Sequence, residues 1–391
     1  MAIYCTDIET TGLLHQLKKQ DNPMLHNFGA IDPKTGEEIL FSRSKNNLSE
    51  LQDWLNEGHT LVMHNGICYD GEALTYLGYD LSNNEIIDTL PLSWYLNPTK
   101  PKHGLEAWGE EFGVPKPPVY DWINGDPKVY DHRVMEDCKI QVKLWELQCK
   151  QLNNIYDTLD GKKRLIDYLM FKMELQRIQQ TYKWKLDKPA AEKLQETLEA
   201  ELEQRKIPQI NVKNSGGKVC PSVKILIEKY PDKGLDNLEG LGILSHRLSI
   251  VKGFLKNVDE EGYIQASCSG FTNTLRLKHS ILVNFPSTRV AWGKEIRSLL
   301  TTPQGYKNIG SDLSSLEDRC KHHFQWKFDP EYVKMQMADD FDPHLTVAQM
   351  GGLMTASQVE EHKSGVKDWG HVRHLGKGGN YALTCSAYKT H

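Results

Sequence analysis

Two carboxylates spaced two residues apart, Asp7 and Glu9, form the first pattern in the chain that could do chemistry. They lie in a segment, residues 2–9, whose apolar and β-favouring neighbours predict a buried strand that ends at Gly12. Alternate side chains of a strand share a face, so the two carboxylates are expected side by side. A hard divalent cation such as Mg²⁺ is the natural partner of such a pair. Alone, the pattern is common and more often marks a solvated strand end.

The segments around this strand alternate in a way that predicts an α/β layer architecture for residues 1–150. Two more acidic residues are candidates for a functional site. Asp70 starts a predicted helix directly after a predicted strand, and Asp137 lies on a predicted amphipathic helix. The other predicted strands are residues 28–32 and 38–41, which form a hairpin, 59–65 and 86–90, and the predicted helices are residues 48–55, 70–77, 103–112 and 132–151.

The composition is ordinary for a soluble globular protein of two or three domains. Of 391 residues, 39% are hydrophobic and 25% are charged. The net charge of −5 does not by itself indicate a nucleic-acid-binding protein, although binding needs only a local basic face. No apolar segment is long enough to span a membrane, the N-terminus lacks the pattern of a signal peptide, and the eight cysteines form no C-x-x-C pair. We therefore expect reduced thiols, no membrane partner and a cytoplasmic location, the host-cell cytoplasm if the protein is viral.

Three acidic motifs, in their order along the chain, resemble those of the DEDD 3′–5′ exonucleases, which have a ribonuclease-H-like fold. The matching positions are Asp7-x-Glu9, the step from Asn65 to Asp70, and the helical Asp137. The resemblance implies that the four carboxylates hold two Mg²⁺ or Mn²⁺ ions about 4 Å apart, one activating water and the other stabilising the departing 3′ oxygen. It also implies that Asn65 contacts the DNA.

Three further segments narrow the resemblance to the proofreading domain of phage-type family A DNA polymerases, the DNA polymerase I family. These segments are residues 61–66, 87–90 and 103–108. Jointly the motifs are specific, whereas no single one would be.

The general base is the point at which this chain departs from that family. Polymerase proofreading domains usually carry a Tyr four residues before the last Asp, and here that position is Arg133. His132 lies five residues before Asp137, which is the spacing of the His-type DEDD exonucleases, so we predict that His132 is the base that orients the attacking water. The alternative is a surface histidine at a polar helix start, in which case the exonuclease activity would be weak.

Residues 151–265 change to long helical patterns with few breakers and resemble the thumb of family A polymerases. Residues 211–221 would form the thumb tip, and the segment leaves no room for the large insertion that binds a processivity partner in some phage enzymes. A basic stretch runs from Lys162 to Lys188 with Tyr182 and Trp184 interleaved. Such charge marks either a solvated helix face or a contact surface for duplex phosphates, and the sequence leaves both open.

Residues 266–391 carry a second set of motifs, which resembles the start of a family A polymerase palm. Thr274-Leu275-Arg276 resembles the T-G-R step of that family, with Leu275 in place of the Gly. Asn284 belongs to a segment that resembles the N-I-P step. The resemblance implies that Arg276 and Asn284 contact DNA.

A predicted strand over residues 306–311 runs into Asp312, and this step resembles motif A of family A polymerases. The resemblance implies that Asp312 binds both catalytic metal ions and that Glu317 stands beside the incoming sugar and disfavours ribose. A lone Asp between a strand and a helix is also typical of a helix cap. The agreement of Asp312, Glu317 and Arg319 at once favours motif A.

A spacing of four residues places Arg373, Lys377 and Tyr381 on one face of a predicted helix. This pattern resembles motif B, and it implies that the two cations bind the triphosphate while Tyr381 packs near the sugar. Glycines within the pattern are poor helix formers, so we expect the helix to order fully only with a partner or nucleotide. The family's next Tyr, near the template base, is Cys385 here.

The expected fold is α/β, with a DEDD exonuclease domain at residues 1–150, a helical thumb region at 151–265, and the N-terminal part of the palm and start of the fingers at 266–391. No later segment supplies the second palm carboxylate, that of motif C, and phosphoryl transfer by two metal ions needs both carboxylates. We therefore expect the N-terminal subunit of a split DNA-directed DNA polymerase with proofreading. It would act on a DNA primer-template and dNTPs, and would polymerise only with a second polypeptide that completes the palm and fingers.

Two other functions stay open. The exonuclease carboxylates fit equally well a stand-alone 3′–5′ DNA exonuclease with a vestigial polymerase half. A non-enzymatic DNA-binding replisome protein is less favoured, because binding alone gives no reason for four metal-ligand carboxylates. A further alternative is that the sequence is a fragment of a longer gene product.

Overall fold

The chain forms two compact units in the computed structural model, Met1–Lys307 and Asn308–His391. The structure describes residues 2–204, 240–272, 275–338 and 340–384. The predicted boundaries at residues 150 and 265 both fall inside the first unit, and the division into exonuclease, thumb and palm regions stays a prediction. The predicted thumb tip, residues 211–221, lies outside the described residues.

Short strands and helices alternate through the first part of this unit, as the sequence predicts. The strands of the unit are β1 (Ile3–Thr10), β2 (Leu25–Ile31), β3 (Glu38–Ser42), β4 (Thr60–Met63), β5 (Glu85–Asp88), β6 (Trp184–Leu186), β7 (Tyr263–Ile264), β8 (Cys268–Phe271), β9 (Leu277–His279) and β10 (Leu300–Thr301). The helices are α1 (Leu14–Leu17), α2 (Leu51–Asn56), α3 (Asp70–Tyr76), α4 (Thr89–Leu96), α5 (Leu105–Phe112), α6 (Pro127–Ile155), α7 (Leu159–Thr181), α8 (Lys188–Gln204), α9 (Leu241–Asn257) and α10 (Gly293–Ser298).

Five of the strands form a mixed sheet in the order β3-β2-β1-β4-β5. β1 runs antiparallel to β2 and parallel to β4, while β3 is antiparallel to β2 and β5 is parallel to β4. Phe28, Leu61 and Leu74 are fully buried in the core beside this sheet. The predicted first strand and the predicted hairpin are confirmed, and Asp7 and Glu9 therefore lie on the central strand.

The predicted strand over residues 86–90 is wrong at its C-terminal end. β5 ends at Asp88 and α4 begins at Thr89. The Asp88 side chain accepts a hydrogen bond from the Leu90 N–H at 2.9 Å, which caps the helix. A short apolar segment fits a strand or a buried helix equally well. Here the Asp88 cap begins a helix, so Thr89 and Leu90 belong to α4 and not to the strand.

α6 packs across the sheet against β1 and β2. Gly29 of β2 permits the close approach, since a Cβ there would lie 3.0 Å from Cys138 Sγ and 3.2 Å from Val134 Cγ2. Asp126 caps the helix by accepting a hydrogen bond from the Lys128 N–H at 2.9 Å. This packing places Asp137 of α6 beside the central strand, β1.

The later helices of the first unit surround a second core. α8 and α9 pack against each other, with Leu198 and Val251 fully buried between them. β6 pairs with β7 and β10, and Leu186 of β6 belongs to the same core. The helical prediction for this region is confirmed within the described residues. No helix in those residues is both long and apolar enough to cross a membrane.

The second unit is helical where the structure describes it. Its helices are α11 (Leu316–Gln325), α12 (Pro330–Gln336), α13 (Pro343–Met350), α14 (Ala356–Lys363) and α15 (Gly370–Thr384). α13 and α15 pack so closely that a Cβ on Gly376 would overlap the carbonyl oxygen of His344. The helix predicted to carry Arg373, Lys377 and Tyr381 is confirmed as α15, and one of its glycines has a packing role.

The predicted strand over residues 306–311 is wrong. These residues are irregular and exposed, and no described strand pairs with them. Ile309 is 89% exposed and Leu313 is 67% exposed. A strand needs a neighbouring strand to satisfy its backbone groups, so an apolar pattern without such a neighbour does not form one.

Candidate active site

Three carboxylates from two elements converge in a cleft of the first unit. Asp7 and Glu9 project from β1 and Asp137 from α6, and one oxygen of each lies within 4.8 Å of the others. Glu9 and Asp137 are buried and Asp7 is half-buried. Asp70, buried at the start of α3, lines the same cleft, whose volume is about 370 Å³. The structure thus brings all four sequence-predicted exonuclease carboxylates to one cleft.

The turn between β4 and α3 is built around the buried Asp88. Its carboxylate accepts hydrogen bonds from the backbone N–H groups of Asn65 at 2.8 Å and Ile67 at 3.2 Å. Asn65 has a φ of 64°, in the left-handed region that Asn tolerates better than most residues. Gly66 leaves no room for a side chain, because a Cβ would overlap a side chain of β4. This turn presents Asp70 to the cleft.

Tyr69 ties together the two chain segments that carry the carboxylates. Its hydroxyl lies 2.8 Å from Thr10 Oγ1 and donates to the carbonyl oxygen of Gly12 at 3.0 Å. Burial raises the pKa of Tyr69 well above its usual range, so the hydroxyl remains a donor at neutral pH. The end of β1 is thereby held beside the start of α3.

Two cations reach into the carboxylate cluster. Lys116, between α5 and α6, places its Nζ 2.6 Å from Asp137 Oδ2. Arg133 of α6 places its Nε 3.0 Å from the same oxygen and 3.5 Å from Glu9 Oε1, while its Nη1 donates to the Pro117 carbonyl oxygen. Lys116 belongs to no motif, so the sequence analysis does not identify it. For Arg133 the sequence carries a signal, because a spacing of four residues places Arg133 and Asp137 on the same face of a helix.

Burial and repulsion from neighbouring carboxylates raise the pKa values of Asp7, Glu9 and Asp70 in the cleft. Burial raises the pKa of Glu9 to about 8, with a further increase from the charge of Asp137. Burial, and then the charge of Asp137, raises the pKa of Asp7 well above its usual range. Burial, and then the charge of Asp88, raises the pKa of Asp70 to about 7. Such a cleft retains protons near neutral pH until a cation replaces them.

The donor set fits a hard divalent cation. Carboxylate oxygens are the ligands that Mg²⁺ and Mn²⁺ prefer. Asp137 Oδ1 is buried and has no hydrogen-bond partner among the described residues, which is unfavourable for a charged oxygen unless a cation or water satisfies it. Asp7, Glu9 and Asp137 would supply the ligands, and no other group of three such side chains converges in the described part of the chain.

His132 is not brought to the cleft. It is exposed and does not line the cleft, whereas Arg133 and Asp137 both do. Helical residues are about 100° apart, so the residue four before Asp137 shares its face and the residue five before points about 140° away. The placement agrees with the alternative of a surface histidine. The role of His132 as general base stays a prediction without geometric support.

The wall of the cleft carries an aromatic residue that the sequence analysis does not identify. Trp122 lines the cleft and stacks on Tyr130, with ring centroids 6.2 Å apart and planes at 14°. Tyr130 stacks in turn on His26, with ring centroids 4.0 Å apart. His26 Nε2 lies 2.8 Å from the carbonyl oxygen of Trp122. Side chains of β2 and α6 therefore hold the indole in place.

The residues predicted to bind metal and sugar in the polymerase half lie in the second unit. Asp312 is exposed on the irregular segment before α11, and Glu317 is exposed in the first turn of that helix. Asp312 belongs to no group of three metal-ligating side chains in the described ranges. Its predicted role in metal binding stays a prediction.

The motif B residues lie along α15. Arg373 pairs with Asp342, which caps α13, at 2.7 Å from Nε to Oδ2. Lys377 follows one turn later and is exposed. The side chain of Tyr381 and the whole of Cys385 lie outside the described residues. Nucleotide binding by these residues stays a prediction.

The residues predicted to contact DNA are dispersed. Asn65 shapes the turn before α3 and borders a second cavity rather than the carboxylate cleft. Arg276 and Asn284 are exposed, and Thr274 lies outside the described residues. Leu275, at the Gly position of the resembling family, has a φ of 58°, so the backbone keeps a conformation that favours glycine. Their contacts with DNA stay predictions.

Several cations of the predicted basic stretch pair with the chain's own carboxylates. Arg177 pairs with Glu72 at 2.7 Å and with Glu174 at 2.5 Å. Lys183 pairs with Asp259 at 2.8 Å. These ion pairs favour a structural role for this part of the stretch over contact with duplex phosphates.

Comparisons with known proteins show a likeness of structure. No protein-family model matches the sequence, and no curated protein matches it. The chain is similar to the POL domain of Pol1 from M. smegmatis in complex with DNA primer-template and dNTP, with a TM-score of 0.67 and 16% sequence identity. The match covers 92% of this chain and 65% of that chain. At this identity the likeness concerns the fold. Over most of its length, the chain therefore has a fold similar to that of a DNA polymerase I polymerase domain.

Proposed function

We propose that the first unit is a divalent-metal-dependent 3′–5′ exonuclease that acts on DNA. The convergence of Asp7, Glu9 and Asp137 within 4.8 Å, beside the buried Asp70, carries the proposal. Burying like charges this close costs free energy, and a protein that only binds DNA has no need of them. The order of the acidic motifs resembles that of the DEDD exonucleases, and the mixed α/β sheet is compatible with the ribonuclease-H-like fold that the resemblance implies.

The cleft offers a site for a divalent ion, a stacking surface for a base and cations for the phosphate. A divalent ion held by the carboxylates supplies, when bound, Lewis-acid stabilisation of the charge that develops on the phosphate. The indole of Trp122 presents an aromatic surface on which a terminal base stacks. Lys116 and Arg133 present cations to the phosphate. A cavity of about 370 Å³ is near the lower end of the range for small-ligand sites, about 300–1,000 Å³, which suits a nucleotide at a strand end.

Digestion of a 5′-labelled primer annealed to a longer template tests this proposal. With Mg²⁺ and no dNTPs, the full chain should shorten the primer from its 3′ end. The Asp7→Ala variant should lose this activity and retain DNA binding. Asp53→Ala is the matched control, because it removes an exposed carboxylate of α2, and it should digest like the wild type. Digestion at the wild-type rate by Asp7→Ala would show that the site is misassigned.

We also propose that the second unit contributes half of a DNA-directed DNA polymerase site, which a second polypeptide completes. The likeness of the chain to a DNA polymerase I polymerase domain supports a DNA-polymerase-like function. Asp312 is exposed and joins no convergent carboxylate group in the described ranges, whereas two-metal phosphoryl transfer needs a second carboxylate. The similar structure is a complex with a DNA primer-template and dNTP, and we propose the same substrates for the completed site.

Adding all four dNTPs to the same assay tests the second proposal. The chain alone should shorten the primer and not extend it, and Mg²⁺-dependent extension should appear only with a complementing polypeptide. Extension by the chain alone would overturn the split site. Shortening without any complementing polypeptide in the source cell would favour a stand-alone exonuclease. DNA binding without shortening or extension would favour a non-enzymatic replisome protein.

A further inference from the structure

The long helix α7 carries apolar side chains on two of its faces. On one face, Leu165 and Leu169 are buried in a core with Leu92 of α4 and Ile87 of β5. The other face consists of five large apolar side chains that are 40–75% exposed, and we call it the outer stripe. Its members are Tyr168, Phe171, Leu175, Ile178 and Tyr182, the last directly after the helix. The buried face anchors the helix, so the outer stripe needs another explanation.

The spacing of the outer stripe is that of a seam between two helices. Its members follow one another at intervals of three, four, three and four residues. At about 100° per residue, they lie within an arc of about 80°, centred about 140° from the buried face. This alternation is the a/d pattern of coiled coils, in which each side chain inserts between four residues of a facing helix. No helix in the described part of the chain covers the stripe, because all five members stay exposed.

The area of the outer stripe is sufficient for a specific contact. Monomeric proteins rarely expose contiguous apolar patches of more than a few hundred Å². A whole aromatic side chain presents about 150–250 Å², so the exposed fractions of the stripe amount to on the order of 500 Å² per copy. Two copies facing each other would bury on the order of 1,000 Å², which is at the lower limit for a specific interface.

The charges beside the stripe favour an identical helix in parallel orientation. Asp167 and Lys172 lie on opposite sides of the stripe, five residues apart, where the g position of one parallel helix meets the e position of the other. Asp167 pairs within the chain with Lys163 at 3.1 Å, and both side chains are more than half exposed, so this weak pair is easily exchanged. In an antiparallel pair the two Lys172 side chains would meet instead, and like charges repel.

We propose that two copies of this chain associate through the outer stripe of α7, with the two helices parallel. The inference goes beyond the exonuclease and polymerase functions proposed above and does not depend on them. A nucleic-acid strand fits the stripe less well, because Leu175 and Ile178 offer no aromatic face to a base and Asp167 repels phosphates.

Sedimentation velocity of the full chain without DNA, over about 1–100 μM, tests the association. The wild type should pass from monomer to dimer within this range. Phe171→Glu should weaken dimerisation by about a hundredfold or more, because it would bury two charges at the seam. Phe171 is 59% exposed, so this variant should keep the circular dichroism spectrum of the wild type.

Leu159→Glu is the matched control. Leu159 is the first residue of the same helix, is 82% exposed and points about 140° away from the centre of the stripe. A carboxylate in the first turn of a helix is favourable, so the variant should fold and dimerise like the wild type.

Cross-linking through a new thiol tests the orientation, and it reports association even if Phe171→Glu fails to fold. In a parallel pair the two copies of residue 178 face each other, so Ile178→Cys should form an intermolecular disulfide on mild oxidation. In an antiparallel pair that keeps the stripe in register, the two thiols would lie about 15 Å apart, too far for a disulfide. Leu159→Cys and the wild type, which has an exposed Cys320, are the controls and should not cross-link in this way.

The other outcomes would each overturn a stated part of the proposal. A monomer at every concentration, or a dimer that is not weakened in Phe171→Glu, would overturn association through the stripe. A dimer that does not cross-link in Ile178→Cys would overturn the parallel orientation. If Phe171→Glu left the sedimentation unchanged but bound a labelled primer-template more weakly than Leu159→Glu, the stripe would be a DNA-binding surface instead.

Discussion

The carboxylate of Asp88 accepts a hydrogen bond from the backbone N–H of Asn65 at 2.8 Å, which links the end of β5 to the turn before α3. The same carboxylate accepts hydrogen bonds from the N–H groups of Ile67 at 3.2 Å and Leu90 at 2.9 Å. Asp88 is fully buried and does not line the carboxylate cleft. It is therefore a positioning residue, which fixes the turn that presents Asp70.

Asp88→Asn should destabilise the chain by about 1–3 kcal/mol, because an amide NH₂ replaces one acceptor oxygen and leaves a buried N–H unpaired. Urea unfolding followed by circular dichroism measures this change. Exonuclease rate should fall more than DNA binding, since the displaced turn carries Asp70. Asp80→Asn is the control, because Asp80 is an exposed acceptor for the Ser82 N–H, and it should change stability by less than about 0.5 kcal/mol. Equal losses in both variants would contradict this role.

His132→Ala should digest primer at close to the wild-type rate, because His132 is exposed outside the cleft. A general base contributes about 10²–10⁴-fold to a rate, so even partial participation would be visible. The measurement is the single-turnover rate at saturating Mg²⁺ across a range of pH. A loss of two orders of magnitude, with a changed pH profile, would support the sequence-based assignment and contradict the geometry.

The metal-free chain should lose stability as the pH rises from about 5 to about 8. Burial, followed by repulsion from other carboxylates, raises the pKa of Glu9 to about 8 and that of Asp70 to about 7, although Lys116 opposes both shifts. A carboxyl whose pKa is higher in the folded chain than in the unfolded chain stabilises the folded state, and this stabilisation is complete below the unfolded-state pKa of about 4. The stabilisation is lost as the pH rises through the folded-state pKa.

Thermal unfolding in EDTA at a series of pH values measures this slope. Glu9→Gln removes one of the titrating groups and should flatten the curve between pH 6 and 8, whereas Glu37→Gln, at an exposed site, should not. Saturating Mg²⁺ should stabilise the chain most at the alkaline end, where the carboxyls are already ionised. Stability that rises with pH in the metal-free wild type, and equally in Glu9→Gln, would contradict the assigned shifts.

Two glycines of α15 should respond to alanine in opposite directions. A Cβ on Gly376 would overlap the carbonyl oxygen of His344 and lie 2.9 Å from Ala348 Cβ, so Gly376→Ala should destabilise by about 1–3 kcal/mol. A Cβ on Gly378 would meet open space, so Gly378→Ala should stabilise by about 1 kcal/mol through helix propensity. Thermal unfolding distinguishes the two, and destabilisation by both variants would contradict this packing of α13 on α15.

The elements that carry the carboxylates can be predicted from sequence because their signals are local. The apolar alternation around Asp7 predicts β1, and the amphipathic spacing around Asp137 predicts α6, and both are confirmed. Residues 306–311 show the limit of such signals. Whether a segment becomes a strand depends on a partner elsewhere in space, and a local pattern carries no information about that partner.

The cleft could be predicted only in part. Motif order places its four carboxylates, but Lys116 reaches Asp137 through the path of a connecting segment, which no spacing rule describes. His132 is a different case, because helix periodicity places Arg133 rather than His132 beside Asp137. The spacing of a known family predicts His132 as the base, and that role stays a prediction without geometric support.

Gly29 makes the carboxylate cluster as long-lived as the fold itself. Because it has no side chain, α6 lies so close to β2 that the carboxylates of β1 and α6 can separate only if the helix leaves the sheet. That event would expose the fully buried Val134 and Cys138 of α6, so it amounts to opening of the core. Amide hydrogen exchange around Asp137 should therefore report global unfolding rather than local fluctuation.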